Sequence, residues 1–424
     1  MSRRVVITGM GILAPNGHGL EEYEAALRAG KSGIRKIPQM EELKFTCHVG
    51  GEPQNITEEL KAKYFDEEML LAMNQSMIYA GIVAMDCYRD AGLEIIPQGV
   101  DEVDWDTGAI VGVGATGIDT IAQVIPKVDA AKVKRLGSTT VEQTMASATS
   151  AKISGLLALG NQVSCNSSAC TTGTEAVIMA YERVKAGSAE RMLAGGVEGS
   201  SRYTWAGFDA MRVLNKNFND EPEKASRPMS ASAGGFIPGS GGGLLMVESL
   251  ESAQKRGARI YAEIAGGALN CGGHRMGGSM TAPNPMSVQK AVQLALKNAN
   301  IQAEQIDLLN GHLTATFADP HEIANWSKAL GRGPENFPLV QSTKSMVGHG
   351  LGAAGGLECV ASVLQMYKGF AHPSLNCEDL HEDIKPYEKS VVREARDMDI
   401  GVLAKASFGF GDVNGVVLFK KFAA

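Results

Sequence analysis

Residues 163–185, VSCNSSACTTGTEAVIMAYERVK, contain the change of pattern that decides the fold. The stretch begins with short β-prone and small residues. Beyond Cys170, apolar residues recur at the spacing of one helix face, and they are Val177, Ala180, Tyr181 and Val184. Gly187 is placed to end that helix. The pattern therefore predicts a strand, a tight turn carrying Cys170, and a helix.

Cys170 has two interpretations at this point. A thiol at the start of a helix lies near unpaired backbone N–H groups and the positive end of the helix dipole, and both favour the nucleophilic thiolate. The alternative is a small buried cysteine, which is the more frequent case for a cysteine considered alone. Two histidines farther along the chain favour the nucleophile.

His312 lies in residues 306–316, IDLLNGHLTAT, and His349 lies in residues 342–355, STKSMVGHGLGAAG. Each histidine follows a β-prone stretch and stands among glycines, as expected of a loop that presents a catalytic side chain. One cysteine and two histidines suit thioester chemistry, because two imidazoles can hydrogen-bond a developing enolate or oxyanion. Either histidine considered alone is more often an ordinary loop residue.

The composition excludes several classes of protein. The chain has 424 residues, 44% of them hydrophobic, so it can bury one large core or two closely packed halves. A net charge of −7 argues against nucleic acid as the main partner. Seven cysteines without CxxC spacing indicate free thiols in a reducing cytoplasm. The sequence shows no signal peptide and no apolar run of transmembrane length, so we expect no membrane contact.

Short β-branched runs alternate with helical periodicity, which is typical of an α/β fold with buried strands. We expect strands at Arg4–Thr8, Ala109–Val113, Arg191–Ala194, Ile306–Asn310, Val402–Ser407 and Val416–Phe419. We expect helices at Glu67–Ala91, Thr172–Lys185, Ser287–Asn298 and Leu351–Lys368. The chain should divide into two halves, residues 1–257 and 258–424, just beyond a helix-like segment at Leu250–Arg256.

Neither a nucleotide nor a metal is expected. Residues 112–117, GVGATG, match GxGxxG, but a basic helix-like segment follows instead of a second strand ending in an acidic residue. Residues 239–243, GSGGG, lack the lysine of a phosphate loop and precede a strand. His321-Glu322 has no second histidine at helical spacing, so zinc is not predicted.

Five motifs resemble, in order, those of the β-ketoacyl-acyl carrier protein synthases of the elongating type, in the thiolase-like superfamily. They are VVITGMG at residues 5–11, SSACTTG at 167–173, HLTAT at 312–316, KSMVGH at 344–349 and SFGFG at 407–411. The resemblance covers nearly the whole chain. It implies a thiolase-like α/β fold of two similar αβαβα halves packed as five layers. The first half would carry Cys170 and the second both histidines.

The resemblance also implies a reaction. Cys170 would take an acyl chain from the phosphopantetheine arm of an acyl carrier protein. Malonyl carrier protein would then lose carbon dioxide and attack that thioester, while His312 and His349 hydrogen-bond the malonyl thioester oxygen. Backbone N–H groups of Cys170 and Phe408 would form the oxyanion hole, and Phe408 would gate the cavity from a flexible Gly-rich loop. No cofactor would be bound to the protein itself.

Lys344 and Glu358 match the polar support around the second histidine, although Lys344 could instead be a solvated surface charge. Some positions depart from the family pattern. Leu313 and Ala315 replace the usual glycine and serine after the first histidine. Gly234 and Asp412 replace an acidic residue and a glycine, respectively. Activity remains the favoured interpretation, in either general fatty-acid elongation or a specialised polyketide, polyene or lipid pathway.

Three related classes provide alternatives. A non-catalytic partner subunit of the chain-length-factor kind would typically lack Cys170. A degradative thiolase would carry a second catalytic cysteine in its last loop, where residues 408–411 have none. A priming synthase would have asparagine where His349 stands.

An acidic carrier protein needs a basic docking surface. Relatives usually have basic residues just before the helix that here reads FDEEMLL at residues 65–71, and this chain has glutamates and leucines there. We therefore expect docking to use a basic cluster formed by Lys127, Lys132, Lys134 and Arg135, unless that cluster is only a solvated helix face. We expect a homodimer or a heterodimer with a chain-length-factor-like chain, and if the basic cluster is not the docking surface, the Leu70–Leu71 side is a candidate contact for a second, non-identical subunit.

Overall fold

The structure, a computed structural model, describes residues 3–54 and 56–423. The strands described are β1 Val5–Ala14, β2 Gly17–His18, β3 Ile34–Lys36, β4 Val49–Gly51, β5 Thr107–Val113, β6 Val163–Ser164, β7 Arg191–Glu198, β8 Gly241–Ser249, β9 Ala262–Cys271, β10 Leu308–Asn310, β11 Leu339–Gln341, β12 Phe370–Ala371, β13 Arg396–Asp397, β14 Val402–Gly409 and β15 Val413–Lys420.

The α-helices described are α1 Gly19–Ala29, α2 Pro38–Glu42, α3 Glu58–Ala62, α4 Glu67–Leu71, α5 Gln75–Asp90, α6 Ile118–Asp129, α7 Thr140–Thr144, α8 Ala148–Leu157, α9 Thr172–Lys185, α10 Arg202–Ala210, α11 Leu250–Lys255, α12 Pro285–Ala299, α13 Asp319–Leu330, α14 Lys344–Val347 and α15 Ala354–Lys368. Short 3₁₀ turns precede α9 and α15, at Ala169–Thr171 and Leu351–Ala353.

Two groups of five strands repeat one topology. The first group is ordered β1-β8-β7-β5-β6 and the second β9-β15-β14-β10-β11, with the same pattern of parallel and antiparallel neighbours. A short antiparallel pairing of β1 with β9 joins the two groups into one sheet. We propose that the halves divide at residues 257 and 258, between α11 and β9.

The layers follow from which faces are apolar. Helix α15 is buried almost all round, and α9 buries most of its length, as expected of helices enclosed between the two strand groups of the sheet. Both helices contact strands of both groups, while α5 and α8 cover the outer face of the first group and α12 that of the second. The arrangement is therefore the five-layered αβαβα fold predicted from the sequence.

Glycines let the two central helices approach each other closely. A Cβ atom on Gly173 would lie 2.5 Å from the backbone nitrogen of Gly356, and one on Gly355 would lie 2.2 Å from that of Thr174. Real Cβ atoms do not approach backbone so closely. This contact brings the start of α9, next to Cys170, against the start of α15, next to His349.

The predicted strands and helices are present, and they differ mainly at their ends. The helix predicted at Glu67–Ala91 is interrupted, because the side chain of Asn74 accepts a hydrogen bond from the Met77 N–H and caps α5. The predicted loop position of Phe408 is wrong: Phe408 lies in β14, paired with Asn414 of β15, and the turn begins only after Gly409. The helix predicted from Leu351 begins with a 3₁₀ turn.

Candidate active site

Cys170 lies in a tight turn directly before α9. Ala169 has a φ of 50°, and the Thr172 side chain accepts the Ser168 N–H at 2.8 Å and donates to the Ala169 carbonyl at 2.6 Å. These local hydrogen bonds fix the turn and point the thiol of Cys170 toward the second half. Its Sγ lies 3.0 Å from Nε2 of His349.

His349 follows a loop that the backbone holds at several points. Its N–H donates to the Ile237 carbonyl at 2.7 Å, and its carbonyl accepts the Gly239 N–H at 2.8 Å. The Nδ1 atom accepts the Leu351 N–H at 3.3 Å. Because Nδ1 is an acceptor, the proton of the neutral ring lies on Nε2, and Nε2–H donates to Cys170 Sγ.

His312 stands on the loop between β10 and α13. Its backbone N–H donates to Glu322 at 2.7 Å, and so does the N–H of Leu313. The ring centroids of His312 and His349 are 5.3 Å apart and nearly perpendicular. The ligand atoms of the two histidines and Cys170 all lie within 4.8 Å of one another, the one group so spaced in the part of the chain described.

Lys344, Glu358 and Lys405 form a buried cluster, at most 1% exposed, under the histidines. The ammonium of Lys344 donates to the His312 carbonyl at 2.6 Å and pairs with Oε1 of Glu358. Oε2 of Glu358 pairs with the ammonium of Lys405 at 2.8 Å. Lys344 is therefore no surface charge, and Lys405 is a member of the cluster that sequence reasoning missed.

Burial dominates the electrostatics of the site. Burial raises the pKa of Cys170 to about 11, although the nearby charge of Lys344 and the Phe410 N–H oppose the shift. Burial, with the charge of Lys344, lowers the pKa of both His312 and His349 well below the usual value. At neutral pH the unloaded site therefore holds a thiol and two neutral imidazoles, which differs from the thiolate expected from the helix start alone.

The three side chains line a largely apolar cavity of about 550 Å³. Aromatic rings close around them: the Phe236 centroid is 5.1 Å from that of His349, and Phe408 is 6.1 Å from His312. At the outer end, Met276 and Phe317 are 70% and 71% exposed. The cavity can admit a long flexible group, whose tip would reach Cys170, His312 and His349 at its buried end.

Asp412 and Ala315, which depart from the family pattern, both have positive φ, and Asp412 acts through its side chain, whereas Ala315 acts through its backbone carbonyl. Asp412, with a φ of 61°, accepts the N–H of Asn284 at 2.8 Å and so ties the cavity rim to the last turn. Ala315, with a φ of 63°, accepts the Gly235 N–H at 3.0 Å. Gly234, which stands where the family usually has an acidic residue, brings no charge to this position, and nothing in the structure explains the replacement.

The four predicted docking residues lie together but outside the cavity lining. Backbone turns from Lys127 to Lys132 and from Lys132 to Arg135 bring them into one exposed segment, which begins in the last turn of α6. Helix α6 contacts α10, whose Phe208 lines the cavity. Their role in docking stays a prediction.

A cysteine and two histidines brought together where two repeated five-stranded halves meet is the arrangement of a thiolase-like acyltransferase. Residues 2–253 match the β-ketoacyl synthase N-terminal domain, and residues 261–378 match the β-ketoacyl synthase C-terminal domain. The chain therefore belongs to the β-ketoacyl synthase family, and the resemblance drawn from its motifs is confirmed.

Individual relatives match this chain over almost the whole length of both proteins. The chain is 35% identical over 431 residues to a 3-oxoacyl-[acyl-carrier-protein] synthase 2 of Vibrio harveyi, covering 99% of each chain. It is 29% identical to the ishigamide ketosynthase/chain length factor, covering 100% of both chains with a TM-score of 0.87. It is 25% identical, with full coverage of both chains and a TM-score of 0.85, to a structure titled as a type II polyketide synthase acyl carrier protein in complex with its ketosynthase bound to the hexaketide.

Within residues 3–54 and 56–423, no helix has both the length and the apolar character needed to cross a bilayer. All seven cysteines are free thiols.

Proposed function

We propose that this chain catalyses the decarboxylative Claisen condensation of a Cys170-bound acyl chain with malonyl-acyl carrier protein. The products are a 3-oxoacyl-acyl carrier protein and carbon dioxide. The observation that carries the proposal is the 3.0 Å contact between Cys170 Sγ and His349 Nε2, with the His312 ring beside them in an apolar cavity. The substrates arrive on phosphopantetheine, and the protein binds no cofactor of its own.

In the loading step, Cys170 Sγ forms a bond to the acyl carbon while the bond to the pantetheine sulfur breaks. The thiol proton passes to the departing pantetheine thiolate. A pKa near 11 means that the resting thiol is protonated, so His349 Nε2–H assists by donating to Sγ as negative charge develops there. The oxyanion-hole role expected of Phe408 passes to Phe410: Phe408 lies within β14, and the Phe410 N–H is the one that reaches Cys170, so the N–H groups of Cys170 and Phe410 are the proposed oxyanion hole.

In the condensing step, the malonyl carbon–carbon bond breaks and its electron pair forms an enolate. Neutral His312 and His349 would donate hydrogen bonds to the enolate oxygen, which stabilises it strongly because the cavity excludes water. The carbanion then attacks the Cys170 thioester, the bond between the acyl carbon and Sγ breaks, and the thiolate regains a proton from solvent after the product has left the cavity. Lys344 fixes the His312 carbonyl, and Glu358 holds Lys344.

The proposed partners are an acyl carrier protein and a second ketosynthase-like chain, either identical or of the chain-length-factor kind. Support for a second chain comes from apolar side chains on α4 and α6, where Leu71 is 78% exposed and Ile125 is 52% exposed. Gln143 joins these two elements by hydrogen bonds to the Leu71 carbonyl and the Thr120 hydroxyl. The free thiols favour a cytoplasmic location.

A purely structural, non-catalytic role is the alternative, and the intact Cys170–His349 contact disfavours it. The choice between fatty-acid synthesis and a specialised polyketide or polyene pathway depends on which acyl group loads.

Intact-protein mass spectrometry after incubation with acyl-loaded carrier proteins tests the proposal. The parent should gain the mass of one acyl group, and Cys170→Ala should gain none and form no 3-oxoacyl product. Cys165→Ala is the matched control, because Cys165 lies five residues away and is half-buried. An acyl adduct that persists in Cys170→Ala would show a different nucleophile and overturn the proposal.

A further inference from the structure

Lys405 is a fully buried lysine in the middle of strand β14. It is 0% exposed, and its neighbours in the strand are mostly small or apolar. Its ammonium lies 2.8 Å from Glu358 Oε2 and donates to the Ser407 hydroxyl at 3.0 Å. The motif comparison assigns no function to this residue.

With both lysines protonated, the cluster carries one positive charge in excess, and burial together with the Lys405 charge lowers the pKa of Lys344. Lys344 alone would neutralise Glu358, yet each oxygen of this one carboxylate faces a separate ammonium. A buried charge is costly, and an apolar side chain of similar volume would usually be no less stable. Packing therefore does not account for Lys405.

The excess charge lies beside the reacting groups. Lys344, which shares Glu358 with Lys405, holds the carbonyl of His312. Ser407, which accepts from Lys405, is 2.9 Å from the hydroxyl of Thr174 at the start of α9. The cluster thus connects the strand that carries Phe408, the histidine loop and the nucleophile helix.

We propose that Lys405 is a positioning residue for the condensation: with Lys344 it divides the Glu358 carboxylate and supplies the buried positive charge that favours an anion beside His312 and His349. The inference rests on the proposed function. The charge of Lys405 acts in the expected direction: it lowers the pKa of His349 after burial and Lys344, and that of His312 after burial, Lys344 and His349. Low histidine pKa values keep both rings neutral.

The other titratable groups near the cluster lie on several elements. Two of them, Tyr23 and His372, face Glu358. The others around Lys405 are Glu358 and Cys359 of α15, Lys344 of α14, Glu322 of α13, His312 and His349 of their loops, and Cys170 of its turn. Of these, only the two histidines have pKa values lowered by Lys405 and line the cavity. They are the groups whose titration Lys405 should govern.

The test is the pH dependence of condensation in Lys405→Met and Lys405→Arg. Protonated His349 would turn a donor toward the Leu351 N–H, so activity should fall as pH drops through the histidine pKa. Removing the charge raises that pKa. Lys405→Met should therefore lower kcat by about tenfold or more and leave KM for malonyl carrier protein within about twofold. The acid limb, which is the low-pH side of the plot of kcat against pH, should move up by about one pH unit. Lys405→Arg should restore the limb.

Arg191→Met is the control, because it breaks a largely buried ion pair with Asp104 and neither residue lines the cavity. It should lower the melting temperature without moving the acid limb. Unchanged kcat and an unchanged limb in Lys405→Met would overturn the proposal. If Lys405→Met does not fold, Lys405→Gln replaces it, and failure of both neutral variants to fold would assign Lys405 to stability and overturn the proposal as well.

Histidine titration by NMR, on ¹³C-labelled protein without substrate, separates this inference from the proposed function. A parent that cannot condense malonyl carrier protein refutes the proposed function alone. In that case a rise in the pKa of His312 and His349 in Lys405→Met still supports the charge effect, and an unmoved titration rejects it.

Discussion

The two halves of the molecule share one strand topology but differ in what they bury at their meeting point. In the first half, the turn before α9 presents a single thiol, Cys170, among threonines and glycines. In the second half, the turn before α15 follows His349, and below it lie two lysines and a carboxylate with almost no exposure. The repeated scaffold supplies geometry, and the buried charge network under the histidines comes from the second half.

The two halves also resemble each other in how they hold the loops that follow β5 and β10. Glu198 accepts the N–H groups of Gly114 and Ala115, and Glu322 accepts those of His312 and Leu313. Burial raises the pKa of each glutamate to about 7. Each half therefore fixes its loop with a buried carboxylate, but only the second loop carries a catalytic candidate. The comparison indicates that loading depends mainly on the first half and condensation on the second.

The largest expected effect comes from the second half. His312→Ala or His349→Ala should lower the rate of 3-oxoacyl product formation by roughly a hundred- to a thousandfold, the usual cost of losing an oxyanion donor. Loading of Cys170 should fall less, because its nucleophile and its turn remain. Stopped assays of product formation with malonyl carrier protein measure the effect. Parent-like rates in either variant would remove that histidine from the mechanism.

The contact between the central helices gives the next largest effect. Gly355→Ala should lower the free energy of unfolding by about 1–3 kcal/mol, because its Cβ would meet the backbone of Thr174. Gly155→Ala is the matched control: Gly155 lies within α8 with nothing near its Cβ position, so the change should be neutral or stabilising by about 0.4–1 kcal/mol. Denaturant titration compares them, and equal values would mean that the helix contact is not tight.

The smallest effect is expected far from the meeting point. Lys134→Glu with Arg135→Glu should raise KM for acyl carrier protein by roughly three- to tenfold, since exposed ion pairs contribute ~0.2–1 kcal/mol each. A small thioester mimic should be affected less, and added salt should reduce the difference. Lys297→Glu with Lys328→Glu, on α12 and α13, is the control pair. Identical kinetics in both pairs would reject the docking surface.

Much of the fold and the central site could be predicted from the sequence, because the relevant patterns are local. The face of α9, the strand before each histidine and each of the five motifs all appear within short stretches of neighbouring residues. Lys405 was missed because a single lysine within an apolar strand has no motif, and its partner Glu358 lies on another element. The raised pKa of Cys170 was missed because it depends on burial by residues distant in the sequence.

The most direct test of the difference between the halves is the fate of the acyl group on Cys170 in His312→Ala. The variant is first loaded from acyl carrier protein, then mixed with malonyl carrier protein, and the Cys170 peptide is followed by mass spectrometry. If the first half loads the acyl group and the variant second half cannot condense it, the acyl-Cys170 peptide forms and persists. In the parent protein the same peptide is consumed. An acyl group that never forms on Cys170 in the variant, or that disappears at the parental rate with release of 3-oxoacyl product, would contradict this prediction.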